Sequence, residues 1–116
     1  MTTNTMTIAG DLSTDPAVRY SRAGVAETTL TVSVEQVEDD PSTVTVICHG
    51  ELAENVCLSL VRGARIVASG RLVVTSQSPE DAHPVCQCEL VATEIGASLC
   101  FATADVSRVR RARDQA

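Results

Sequence analysis

Apolar and polar positions alternate along most of this chain, and the period of the alternation changes once. From Thr5 to Gly10 (TMTIAG) the alternation is weak and ends at glycine, which predicts a short first strand. In the following DLSTDPAVRYSRAG, Asp15-Pro16 marks one turn and Ala23-Gly24 another. Thr28 to Val37 (TTLTVSVEQV) alternates cleanly and predicts a strand with Leu30, Val32 and Val34 on one face. The acidic run Glu38-Asp39-Asp40-Pro41-Ser42 predicts a loop, because Pro41 cannot donate to the ladder of a central strand. Thr43 to Cys48 (TVTVIC) is the third strand, with Val44, Val46 and Cys48 sharing a face. Then the period lengthens. Between Glu51 and Val61 the apolar positions Leu52, Val56 and Leu60, flanked by Ala53 and Cys57, recur at helical spacing. Glu51 and Glu54 suit the positive end of a helix and Arg62 the negative end, with Gly63 where a left-handed terminal residue is wanted.

Strand spacing returns at Arg65 to Thr75 (RIVASGRLVVT), where Gly70 predicts a bulge or tight bend. Ser76 to Pro84 is a polar loop. Val85 to Ile95 is a strand with Cys86, Cys88, Leu90 and Ala92 on one face, and Ser98 to Val106 (SLCFATADV) reads as a last strand. The end RVRRARDQA reads as a frayed basic terminus. Three strands, one helix and further strands give the order of an all-β, five-stranded OB barrel with one short helix between strands 3 and 4. Residues 1–107 form that domain and 108–116 a short basic end without an acidic tail.

Composition narrows the interior. With 116 residues the chain closes one small barrel and leaves little for a second core. Tyr20 and Phe101 are its only aromatics, so the core is built from Val, Leu, Ile, Ala and Cys. Fifteen acids against nine bases give a net charge of −6, a field that opposes phosphate. All the bases are arginine, which forks to phosphate and stacks on bases better than lysine does. Five cysteines without a scaffold spacing, no secretory opening and no apolar run near ~18 residues point to a reducing cytoplasm.

Longer stretches carry a resemblance. DLSTDPAVRYSRAGVAETTLTV, GELAENVCLSLVRGARIVASGRL and EIGASLCFATADV follow one another in the order and pattern of bacterial single-stranded DNA-binding proteins, the last stretch resembling actinobacterial members most. The resemblance runs from about Thr5 to Arg108. It implies an OB fold, a homotetramer assembled as a dimer of dimers, no catalysis and no cofactor. It also implies single strands wrapped over the barrel, with bases stacked on aromatics and phosphates held by Lys and Arg. Thr43, His49 and Gln77, and a residue near Glu38, stand where such aromatics are usual, and none is aromatic. Thr45, Glu51 and Val73 fall where many relatives are basic, whereas Arg19, Arg22, Arg62 and Arg71 survive as bases. The candidate nucleic-acid contacts are therefore these four arginines together with Thr43, Thr45, His49 and Gln77.

Sharper chemistry loses to plainer readings. His83-x-x-Cys86-x-Cys88 suggests zinc, but structural sites space paired cysteines more widely, and the face shared with Leu90 and Ala92 reads as core. Cys48 and His49 cannot pair as nucleophile and base, since strand neighbours point to opposite faces. Cys100 replaces a usual arginine and is expected to be an exposed free thiol, with an intermolecular disulfide as the rival reading. The cluster Arg108, Arg110, Arg111 and Arg113 is as readily a solvated strand end as a phosphate site.

The expected function is non-specific, non-enzymatic binding of single-stranded DNA in replication, recombination or repair. It is expected to be weaker than that of a housekeeping homologue and to take place at the nucleoid in the cytoplasm, away from membranes. The alternative is a degenerate OB-fold interaction module that co-assembles with, or regulates, a competent homologous single-stranded DNA-binding protein. A primosomal OB protein is a third reading.

Overall fold

Closing a sheet into a small barrel obliges one strand to serve two neighbours, and here that strand is the first. The computed structural model describes residues 4–34, 42–77 and 85–109. Its elements are β1 (Thr5–Leu12), β2 (Ala17–Tyr20), β3 (Ala26–Val34), β4 (Ser42–His49), α1 (Gly50–Ser59), β5 (Arg65–Gln77) and β6 (Val85–Ala97). β1 runs antiparallel to β5 from Thr5 to Asp11, then passes to β3 through Asp11 opposite Ser33 and Leu12 opposite Val32. The order β1-β5-β6-β4-β3 thus returns to β1, and only the β4–β6 pairing is parallel. This is the expected five-stranded OB barrel, with α1 between its third and fourth barrel strands.

β2 is the one strand that the alternation did not reveal. Four residues behind Pro16 are too few to show a period, and the segment read only as turns. β2 continues β1 along the same edge of β3, with Ala17 to Tyr20 opposite Thr29 to Ala26. The Ser13 N–H donates to the Thr31 carbonyl at 2.9 Å and bridges the break between the two. The predicted turn at Ala23-Gly24 is present, with Gly24 at φ +82° and its N–H donating to the Ser21 carbonyl.

Burial follows the period. Leu30 and Val32 of β3, Val46 and Cys48 of β4, Ile66 and Ala68 of β5, and Leu90 and Ala92 of β6 fill the interior, without an aromatic. Ala53 and Val56 add the inward side of α1. Thr28 is the buried polar residue among them; its hydroxyl donates to the Ala53 carbonyl at 3.0 Å and ties β3 to the helix. The Cys48 thiol donates to the Thr28 carbonyl, and burial pushes its pKa up to about 11, so it stays protonated and unreactive. That is the plain reading of Cys48 beside an exposed His49.

Several expected boundaries move. The helix ends at Ser59 rather than Val61, because Leu60 is already extended (φ −114°, ψ 148°). Gly63 therefore is not its terminal residue; at φ +92° it turns the chain toward β5 and donates its N–H to the Leu12 carbonyl. Arg62 likewise lies beyond the last turn, and of the acids only Glu51 is in the first. No strand forms over Ser98–Val106. The ladder of β5 with β6 ends at Ile66 opposite Ala97, and beyond it the chain leaves the sheet. Ser98 makes a backbone bond to Arg65, and every residue from Leu99 to Val109 is exposed. Cys88 is exposed, not core. From Val74 and Cys88 outward, β5 and β6 pair only with each other, so the face that is interior at Leu90 faces nothing at Cys88. Residues 35–37, His83 and Arg110 to Arg113 lie outside the described residues.

Two glycines make the closure possible. A Cβ on Gly10 would overlap the Ser33 carbonyl and stand 2.7 Å from Val32 Cγ1, where β1 crosses to β3. One on Gly70 would overlap the Val91 carbonyl and stand 2.7 Å from Ala92 Cα, at the register shift beside Ser69. The bulge expected at Gly70 is there. Because both obstacles include backbone, Gly10→Ala and Gly70→Ala should each destabilise the fold by about 1–3 kcal/mol. Gly96→Ala, which meets nothing within 4 Å, should leave urea-denaturation stability within about 0.5 kcal/mol of the parent.

Candidate nucleic-acid interface

Strand alternation sends every second residue of β2 to β6 away from the core, and register arranges these residues in rows across the barrel. Arg19, Glu27 and His49 form one row across β2, β3 and β4. Ala17, Thr29, Ile47, Val91, Arg71 and Thr5 form the next, reaching β1. Thr31, Thr45, Glu89 and Val73 form a third, and Ser33 with Thr43 begins a fourth. The surface is mostly hydroxyls and short aliphatic side chains, with Arg19 and Arg71 toward opposite margins.

The rows bring together five of the sequence-predicted contacts: Arg19, Thr43, Thr45, His49 and Arg71. Arg19, Thr43, His49 and Arg71 are exposed, and Thr45 is half-buried. Arg22 is exposed in the hairpin turn that follows β2. Arg62 stands apart in the turn between α1 and β5, where its backbone N–H donates to Asp15 Oδ1 at 2.7 Å. Gln77 ends β5 in the ribbon beyond the barrel, and its side chain lies outside the described residues.

Sequence reasoning missed the acids on this face. Glu27 Oε2 lies 3.8 Å from His49 Nε2, both side chains being 49% exposed, and Glu27 is the register partner of Arg19 on its other side. Glu89 shares a row with Thr45 and Val73. Strand period alone could have found both, because Glu27 and Glu89 alternate with the buried Thr28 and Leu90.

Neither aromatic is on these rows. Tyr20 follows Arg19 and so points the other way; its hydroxyl donates to Glu54 Oε2 of α1 at 3.0 Å. With the Cys57 thiol on the Pro16 carbonyl and Arg62 on Asp15, this strap ties α1 and its following turn to the segment around β2. Phe101, 86% exposed, belongs to the segment after β6. There it borders a groove of about 810 Å³ between α1 and that segment, floored by Leu52, Val56, Leu60 and Ile95. Among the described residues no three His, Cys, Asp or Glu side chains are grouped to hold a metal, and no helix is long and apolar enough to cross a membrane.

Residues 3–98 match the pattern of the Single-strand binding protein family. The single-stranded DNA-binding protein of Mycobacterium tuberculosis is 37% identical over 117 residues, covering 92% of this chain and 71% of that protein. That of Mycobacterium leprae is 36% identical over 117 residues, with 92% and 70% covered. That of Paenarthrobacter nicotinovorans is 33% identical over 121 residues, with 96% and 71% covered. The matched span takes in all the rows of the outer face.

The strap yields a clean optical test, since Tyr20 is the chain's single tyrosine. Its hydrogen bond to Glu54, and then the charge of that carboxylate, hold its pKa above the ordinary 10.0. Tyrosinate absorbance near 295 nm should therefore rise in one step at higher pH than for free tyrosine. Glu54→Gln should bring the step back toward 10.0, and an unmoved step would break the pairing.

Proposed function

The chain belongs to the Single-strand binding protein family, and from that premise we propose that it binds single-stranded DNA weakly across the outer face of β2 to β6. As in the family, the task is binding rather than catalysis. The observation that carries this reading is the face itself, which has Thr43, Thr45 and His49 along β4, arginines toward both margins and no aromatic side chain. Hydroxyls and guanidinium groups reach phosphate and sugar, which fixes a strand without reading its bases. Stacking, worth roughly 1–3 kcal/mol per base, is missing from the sum. Arg22, close to Arg19, extends the path of the backbone, and Gln77 and Arg62 are its more distant contacts. The assembly we propose is a homotetramer, a dimer of dimers, acting at the nucleoid in the cytoplasm in replication, recombination or repair.

Glu27 and Glu89 on the same face favour a second reading. In it the chain is an interaction module that co-assembles with a competent homologous single-stranded DNA-binding protein and adds little affinity of its own.

Titration of a labelled thymidine oligomer at several salt concentrations separates the two. With about three phosphates neutralised, the log–log salt slope should be near −2, at about −0.7 per phosphate. No detectable complex at low salt, with a folded protein, would move the function to the interaction module.

Restoring one platform tests the cause of the weakness. Thr43 is exposed on β4, so Thr43→Trp has room for a ring and should tighten binding by about one decade, a gain of roughly 1.4 kcal/mol. Its indole fluorescence, otherwise absent from this Trp-free chain, should be quenched as the oligomer binds.

A further inference from the structure

We propose that Glu27 is a built-in competitor of the nucleic-acid phosphate, setting a like charge between the groups on β2 and β4 that would hold it, and this rests on the binding reading above. The row Arg19–Glu27–His49 places a carboxylate in the middle of three adjacent strands. On one side Glu27 Oε2 lies 3.8 Å from His49 Nε2. On the other, Arg19 is its direct register partner, at the spacing where opposite charges on neighbouring strands attract. Among the described residues Arg19 makes no ion pair, with Glu27 or with any other carboxylate, so it faces Glu27 across the ladder as a charged neighbour.

A phosphate arriving at this row meets a carboxylate standing between the two donors it would use, and it must either push Glu27 aside or lie beside a like charge. Both outcomes weaken binding. Neither demands much, because an exposed pair is held loosely and salt screens it. Glu27 therefore sets a ceiling on affinity and leaves the site open. It discriminates by charge density: a continuous polyanion with several phosphates can displace one carboxylate, whereas a single phosphate gains too little to do so. The acid at this point costs the fold nothing. Glu27 is on the solvent side of β3 between the buried Ala26 and Thr28, and a neutral side chain of the same shape would fit equally well.

The test compares Glu27→Gln with the parent chain and with Asp105→Asn, which changes net charge equally but lies on the exposed segment after β6. Each is titrated with the same thymidine oligomer at low and moderate salt, after thermal melts confirm unchanged folding. Glu27→Gln should bind about three- to tenfold tighter at low salt, the size expected for one like charge removed from a few ångströms away in a high-dielectric setting. The gain should shrink at moderate salt, because an exposed like charge is screened there. Asp105→Asn should match the parent, and adding Arg19→Gln to Glu27→Gln should abolish the gain. Equal binding by Glu27→Gln and the parent, both measurable, overturns the competitor and leaves the binding reading standing. So does an equal gain in Asp105→Asn, which would make the effect one of net charge. If neither the parent nor Glu27→Gln binds, the binding reading fails and this proposal falls with it.

Discussion

The closure of β1 onto β3 is the contact on which the rest of the molecule depends. A six-stranded open sheet with this order would leave two edges of unpaired backbone and no enclosed interior. Passing β1 from β5 to β3 at Asp11 pairs the two ends of the five-stranded sheet and creates the cylinder that Leu30, Val32, Val46, Ile66 and Leu90 fill. The passage is possible because Gly10 lets the backbones of β1 and β3 approach within the radius of a methyl group. Gly70 does the same between β5 and β6, where the bulge bends the sheet. Side chains this small in volume, with no ring and nothing larger than leucine or isoleucine at the centre, can fill only a narrow barrel. The glycines and the aromatic-free core are two sides of one constraint.

Closure also decides what faces the solvent. Once the interior is enclosed, period-two alternation assigns every second residue of five strands to the outside, and register aligns those residues across strands that are far apart in sequence. Arg19, Glu27 and His49 become neighbours through pairing alone. The helix is held by other means. Thr28 and Ala53 join inside the barrel, and Tyr20 with Glu54, Cys57 with Pro16 and Arg62 with Asp15 join outside it. One consequence is functional. The single tyrosine is used in fastening α1 to β2, so it cannot also be a stacking platform on the opposite side of β2.

Much of this was legible before any coordinates. The clean alternation of β3 and β4 named the core positions Leu30, Val32, Val46 and Cys48, and the lengthened period found the helix within two residues at its end. Gly70 announced its bulge. What failed shares a physical reason: alternation shows which residues could pair, not whether they meet a partner. Ser98–Val106 alternates but runs on past the end of the β5–β6 ladder, and Cys88 shares a parity with Leu90 but extends past the last strand that could cover it. β2 was missed for the converse reason, being four residues that alternate too briefly yet find a vacant stretch of β3. The candidate face was legible in part. The resemblance led to Thr43, Thr45, His49 and the arginines, but a search for bases and rings passed over Glu27 and Glu89. Arg62 and Gln77, named by the same reasoning, are not on the rows that the barrel assembles.

The balance of forces on the outer face follows from these placements. Stacking is short-ranged, indifferent to salt and lost entirely when the ring is lost, so a face of threonines retains none of it. Electrostatic attraction is long-ranged and graded, and it survives the loss of individual residues in proportion to what remains. On a chain with net charge −6 the distant field repels a polyanion, so any attraction has to come from local positive charge such as Arg19, Arg22 and Arg71. At moderate ionic strength that distant field is screened within about 8–10 Å, so the sign of the nearest few charges matters more than the total. A carboxylate placed among those few, where Glu27 stands, would therefore weigh more on the proposed binding than an acid elsewhere on the surface.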